Sequence, residues 1–169
     1  MARYSASFSQ ITCTAFADGA SHTTGAYPGS LRQGATTYTK INEVYVGGES
    51  SASTPTTLVL ARGSLLSVGA LSNGGLALLD ALAVAPGTLP NWGSTAATTY
   101  PQRATAASGA YLLDLSLNTY GGIARWQARY GEEITVFGAS TPAVPAAEVI
   151  LSSKSGAGIM SGHILFEQV

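Results

Sequence analysis

GGIARWQARYGEEITV, residues 121–136, sorts its side chains into two files. Ala124, Trp126, Ala128 and Tyr130 form one; Ile123, Arg125, Gln127 and Arg129 form the other. An extended strand points successive side chains to opposite faces, so this alternation marks a strand with one buried face and one that meets water or a neighbour. Tyr130-Gly131-Glu132-Glu133 interrupts the run, and Ile134-Thr135-Val136-Phe137 resumes it. Gly131 supplies the positive φ that a tight connection needs. The stretch reads as a β-hairpin inside a larger sheet protein.

The same period recurs on both sides of it. Tyr4, Ala6 and Phe8 alternate, then Ile11 and Cys13, and the change of parity between Phe8 and Ile11 predicts a bulge. In YTKINEVYV, residues 38–46, Ile41, Glu43 and Tyr45 share one face, with Lys40, Asn42, Val44 and Val46 on the other. TTLVLA, residues 56–61, is a strand closed by Arg62-Gly63, and residues 65–71 suggest another. In residues 110–118, Leu113, Leu115 and Leu117 face one way and Leu112, Asp114, Ser116 and Asn118 the other. Residues 147–152 and 161–168 complete the set, the last with Ile164 and Phe166 toward the core and His163, Leu165 and Glu167 away from it.

Residues 76–84, LALLDALAV, break the pattern. Leu76, Leu79 and Ala83 fit helical spacing, and Ala and Leu favour helix, so a short helix is expected there with Asp80 exposed. Residues 17–37, rich in Gly, Ser and Thr with a Tyr27-Pro28-Gly29 turn, read as a long loop or extended arm, and residues 85–109 as a connection. The expectation is an all-β protein: an antiparallel β-sandwich of jelly-roll or Greek-key type with roughly seven to nine strands. Residues 1–37 would supply an N-terminal strand and arm, and residues 38–169 the sandwich, within a single globular domain.

Composition limits the function. The 169 residues carry 8 basic and 9 acidic side chains, a net charge of −1, so the basic stripe of a nucleic-acid binder is absent. Charged residues are 10% of the chain, against the usual quarter, while hydrophobic content is an ordinary 46%. Ser, Thr, Gly and Ala replace the missing charge. Few ionic groups then keep molecules apart, which suits a surface covered by copies of itself or by a larger assembly; a merely neutral soluble protein is the competing reading. No run approaches the roughly 18 apolar residues of a membrane span. The start MARYSASFSQ lacks the apolar core of a signal peptide, so synthesis and assembly in a cytoplasm are expected.

No catalytic constellation emerges. The two histidines stand away from any Gly-x-Ser-x-Gly turn, and phosphate-loop and calcium-loop spacings are missing. No enzyme activity, metal or cofactor is expected. Cys13 is alone and lies in a strand-like setting, where a buried thiol is expected. His22, alone in its loop, reads as solvated. Glu132 and Glu133, adjacent on an extended chain, point apart and either keep a hairpin end soluble or meet Arg125 or Arg129. Trp126, flanked on its face by small residues, reads as core. Arg125 reads equally as an interface anchor or a solvated side chain. Trp92, between a Pro turn and Gly93, reads as a core cover; the sharper reading makes it, with Tyr100, a ligand-stacking platform near Asn91 and Gln102.

The segments Ile123-Ala124-Arg125-Trp126, Tyr130-Gly131-Glu132-Glu133-Ile134 and His163-Ile164-Leu165-Phe166-Glu167 resemble a group of small virion structural proteins of tailed bacteriophages. In that group an Arg-Trp strand precedes a Gly-x-Glu turn, and a closing strand ends in Phe-Glu. The resemblance spans about residues 39–167. The group usually has Pro before the turn glycine where this chain has Tyr130, and residues 85–109 and the N-terminal arm have no clear counterpart. The resemblance implies a head decoration (cement) protein without catalytic residues. Such a protein would form a homo-oligomer, expected as a trimer, on the capsid surface of the virion and bind across joints of the major capsid protein. Tyr4 and Phe8 on the N-terminal arm, with Arg125, Arg129 and Glu133, are the candidate interface residues. A tail-fibre or head-fibre module binding host glycans through Trp92 and Tyr100 is the alternative.

Overall fold

The computed structural model describes residues 2–23, 25–32, 38–65, 76–79, 91–93, 102–103, 111–138 and 148–169. Among these residues the chain is all β. Its strands are β1 (Ala2–Cys13), β2 (Gly29–Arg32), β3 (Tyr38–Glu49), β4 (Pro55–Leu65), β5 (Leu76–Leu78), β6 (Asn91–Gly93), β7 (Gln102–Arg103), β8 (Leu113–Asn118), β9 (Tyr120–Gln127), β10 (Ile134–Phe137), β11 (Glu148–Ser155) and β12 (Gly158–Gln168). They form two antiparallel sheets packed face to face. Sheet 1 runs β10-β3-β12-β1-β5, with β9 also on β3; sheet 2 runs β6-β2-β11-β4-β7, with β8 also on β4. The strand count exceeds the expected one because β2, β5, β6 and β7 have two to four residues each, too short to display a period.

Alternation explains the core. Tyr4, Ala6 and Phe8 of β1, Ile41, Val44 and Val46 of β3, and Met160, Ile164 and Phe166 of β12 line the inner face of sheet 1. Leu31, Leu58, Leu60, Val149 and Leu151 face them from sheet 2, joined by Trp92. Each such Leu, Ile or Phe, buried completely, contributes about 1.5–3 kcal/mol relative to an exposed one. The two ends of the chain zip together, from Ala2 opposite Gln168 to Cys13 opposite Gly158. The expected bulge is present between Phe8 and Ile11, where Gln10 takes φ +52°.

Several expectations are corrected. The stretch that opened the sequence reading is not a hairpin, because β9 and β10 do not pair with each other. Both run antiparallel to the same edge of β3, Gln127 opposite Glu43 and Ile134 opposite Ile41. They are one interrupted strand, and residues 128–133 loop out between its halves. Ala128 N still donates to Asn42 O at 2.8 Å, and Glu132 N donates to Arg129 O at 2.9 Å, closing a turn with Gly131 at φ +86°. Alternation reveals the strand but not its partner. In β3 the faces were misassigned: Ile41 is buried with Val44 and Val46, while Glu43 and Tyr45 point outward. A bulge opposite Leu165–Phe166 adds one residue and reverses the parity at Asn42. The expected helix over 76–84 is a strand at its start, since Leu76–Leu78 pair with Ala6–Tyr4; residues 80–84 lie outside the described residues. β4 continues through Arg62-Gly63, where an end was expected, and residues 66–71 lie outside the described residues.

The N-terminal segment is not a detached arm. β1 sits inside sheet 1, and the chain after it folds back on the second sheet. Ala15 bridges Ser153, Phe16 N donates to Ser153 O, and Thr14 N donates to Ala26 O. His22, expected in solvent, is fully buried, its ring stacked on Phe16 at 4.4 Å and edge-on to Tyr27 at 5.2 Å. Val59, Ala61 and Ile150, on the face of sheet 2 turned away from sheet 1, are buried as well. The outer face of sheet 1 is therefore the open face of the sandwich.

Candidate functional site

Ladder register sets out the open face row by row. One transverse row runs Ser7, His163, Tyr45, Arg125; the next runs Ser5, Leu165, Glu43, Gln127. A third places Arg3 opposite Glu167 and Glu167 opposite Lys40, alternating in sign as cross-strand neighbours should. Arg3, Lys40, Glu43, Arg125 and Glu167 thus stand together on this face.

At the centre stands Glu43, its side chain 9% exposed. Arg125 Nη2 donates to its Oε2 at 2.6 Å, and His163 Nε2 lies 3.0 Å from its Oε1. The Arg125 hydrogen bond holds the Glu43 carboxyl below the usual carboxylate range, against the opposing effect of burial, with His163 adding to the lowering. The Tyr45 ring stacks on the His163 imidazole, centroids 5.3 Å apart and planes 15° from parallel. A carboxylate held ionised in this way is an orienting group rather than a proton donor.

Beside the row lies a shallow groove of about 450 Å³. Tyr45 and His163 wall one side, Gly47, Gly48, Gly121 and Gly122 contribute its floor, and Ser9, Ser161 and Glu49 bring polar groups to it. Both flanking irregularities belong to bulges, at Ser9–Gln10 in β1 and at Gly48 in β3. Gln10 N donates to Ser161 Oγ at 2.8 Å, which fixes the rim.

The residues singled out from sequence scatter. Arg125 is on the edge strand β9, reaching inward over the open face to pair with Glu43 rather than with Glu132 or Glu133. Glu133 turns back on its own loop, where Oε1 accepts from Gly131 N at 3.0 Å and is held below the usual carboxylate range by that bond. Arg129 and a fully exposed Tyr130 form the tip of the looped-out turn. Tyr4 and Phe8 are core residues, Tyr4 stacked on Phe166 and Phe8 tilted against Trp92, so neither reaches a partner. Trp92 is 2% exposed, which removes it as a platform; Tyr100 lies outside the described residues. Trp126 is partly buried and packs against the core. Cys13 is buried, which pushes its thiol up to about 12. Glu43, Tyr45 and His163 went unnoticed in the sequence because nothing local joins them.

Among the described residues no group of three or more His, Cys, Asp or Glu is placed to hold a metal ion, and no helix is long and apolar enough to cross a membrane. Comparison of the chain with protein-family models, curated proteins and solved structures finds no match.

Proposed function

We propose that this protein is a head decoration (cement) protein of a tailed bacteriophage, a trimer that binds across joints between major capsid subunits. The observation that carries the reading is the apolar edge of sheet 1. Tyr120 and Ile123 are each 65% exposed and Phe137 is 56% exposed, along the interrupted edge strand formed by β9 and β10, with Tyr130 in the loop between them. Edge strands of soluble proteins are normally blunted with charge, and a run of large exposed apolar residues marks a contact surface. The charge-poor composition supports the same reading, since little on the surface opposes close approach of neighbours.

The mechanism is mechanical. Packaged DNA presses the shell outward, and a clamp engaged at several sites resists separation of the subunits. Each contact after the first is made at high local concentration, so modest contacts suffice. Light scattering after size exclusion tests the assembly step. The wild type is expected at three times the 17.2 kDa chain mass, and the Ile123→Glu/Phe137→Glu double variant at the monomer mass. A monomeric wild type overturns the reading.

A further inference from the structure

We infer that the groove beside Tyr45 and His163 is a binding site for a short neutral oligosaccharide. The inference does not rest on the decoration reading, and it starts from Gly47. A glycine in the middle of a strand weakens the strand and often marks a place where a ligand comes close. For Gly48 and Gly122 the fold itself explains the residue: a Cβ would meet Thr119 O at 2.4 Å and Asn118 O at 2.3 Å. Gly47 has no such reason. Its φ is not positive, and a Cβ would meet nothing nearer than Tyr45 Oη at 3.8 Å. What a side chain there would fill is the groove, since Gly47 sits in register between Ser161 and Ile123 on the open face.

The lining selects the ligand class. Hydroxyls come from Ser9, Ser161 and Tyr45, and a carboxylate from Glu49, while among the described residues no Lys or Arg lines the groove. Ser161 Oγ accepts from Gln10 N, and a hydroxyl that accepts retains a hydrogen to donate. The Tyr45 ring offers apolar surface to the C–H faces of a sugar. The one basic side chain of the lining, His163, is already engaged by Glu43 at 3.0 Å, so the acceptors, hydroxyls and apolar surface suit a neutral polyhydroxylated ligand better than a phosphate or sulfate. The groove crosses four strands, about 14 Å at the usual inter-strand spacing, and its volume falls within the range of small-ligand sites. Gln10, a non-glycine residue at φ +52°, holds a strained bulge at the rim, a feature that clusters at binding sites.

The test is a glycan array carrying neutral hexose and N-acetylhexosamine oligosaccharides beside sulfated and phosphorylated ones, probed with the full chain, followed by titration of the strongest neutral hit. Gly47→Val is expected to weaken binding at least tenfold with a thermal midpoint no lower than the wild type's and the oligomeric state unchanged. Glu49→Gln, at an exposed position, is expected to weaken it several-fold. The inference is overturned if the wild type binds no neutral glycan, if Gly47→Val binds as the wild type does, or if only sulfated or phosphorylated glycans are retained. Capsid binding by Gly47→Val separates this failure from that of the decoration reading, which expects it intact.

Discussion

Replacing Trp92 with alanine tests whether that side chain is structural. Trp92 stands in β6 opposite Leu31, with its ring 6.4 Å from Phe8. Its indole covers Gly29 so closely that a Cβ there would come within 2.8 Å of Cζ2. At 2% exposure the whole side chain would be lost to a cavity between the sheets. Truncating a buried Trp costs about 3–5 kcal/mol. That is a large share of the ~5–15 kcal/mol that holds a domain folded. For a chain of this length each kcal/mol moves the thermal midpoint by about 2–4 °C, so the fall should lie between about 6 and 20 °C. Urea unfolding followed by far-UV circular dichroism reads the same loss as a lower midpoint with an unchanged slope. A change under about 1 kcal/mol would refute the placement of Trp92 in the core and return it to the surface.

Other consequences follow from single contacts. Tyr130→Pro should stabilise the protein by about 0.4–1 kcal/mol, because Tyr130 occupies the position before the positive-φ glycine where proline pre-sets the turn; chemical denaturation measures it. Glu43 has a lowered pKa in the folded state, so its contribution is complete above the ordinary glutamate value of about 4.3 and disappears as pH falls through the folded value. Glu43→Gln should therefore be less stable than the wild type at neutral pH and show a shallower loss of stability on acidification, read from thermal midpoints across pH 2.5–7 (on the order of 0.5-unit steps). Cys13 should resist a thiol reagent such as dithionitrobenzoate in the native protein and react at once in denaturant, since burial keeps it protonated.

What the sequence disclosed was whatever depends on near neighbours. Period-two alternation located β1, β3, β8, β9 and β12, and a parity change located the bulge after Phe8. Partners were not legible. Residues 121–136 look like a hairpin because nothing in them records that β3, some eighty residues earlier, accepts both halves on one edge. The Asn42 bulge was hidden because Lys40-Ile41-Asn42-Glu43 supports either parity. His22 looked solvated because its burial depends on Phe16 and Tyr27 closing around it. The same limit applies to the site: Glu43 is separated by 82 residues from Arg125 and by 120 from His163, and only the register of β3 with β9 and β12 brings the three together. Gly47 carried a signal, a glycine inside a strand, that becomes interpretable only once the space above it is known to be open.

The most direct measurement is sedimentation of purified protein with undecorated tailed-phage heads. The account predicts saturable co-sedimentation at a fixed ratio to the major capsid protein, lost in the Ile123→Glu/Phe137→Glu variant. Protein that stays in the supernatant at every concentration, while remaining folded, would contradict it.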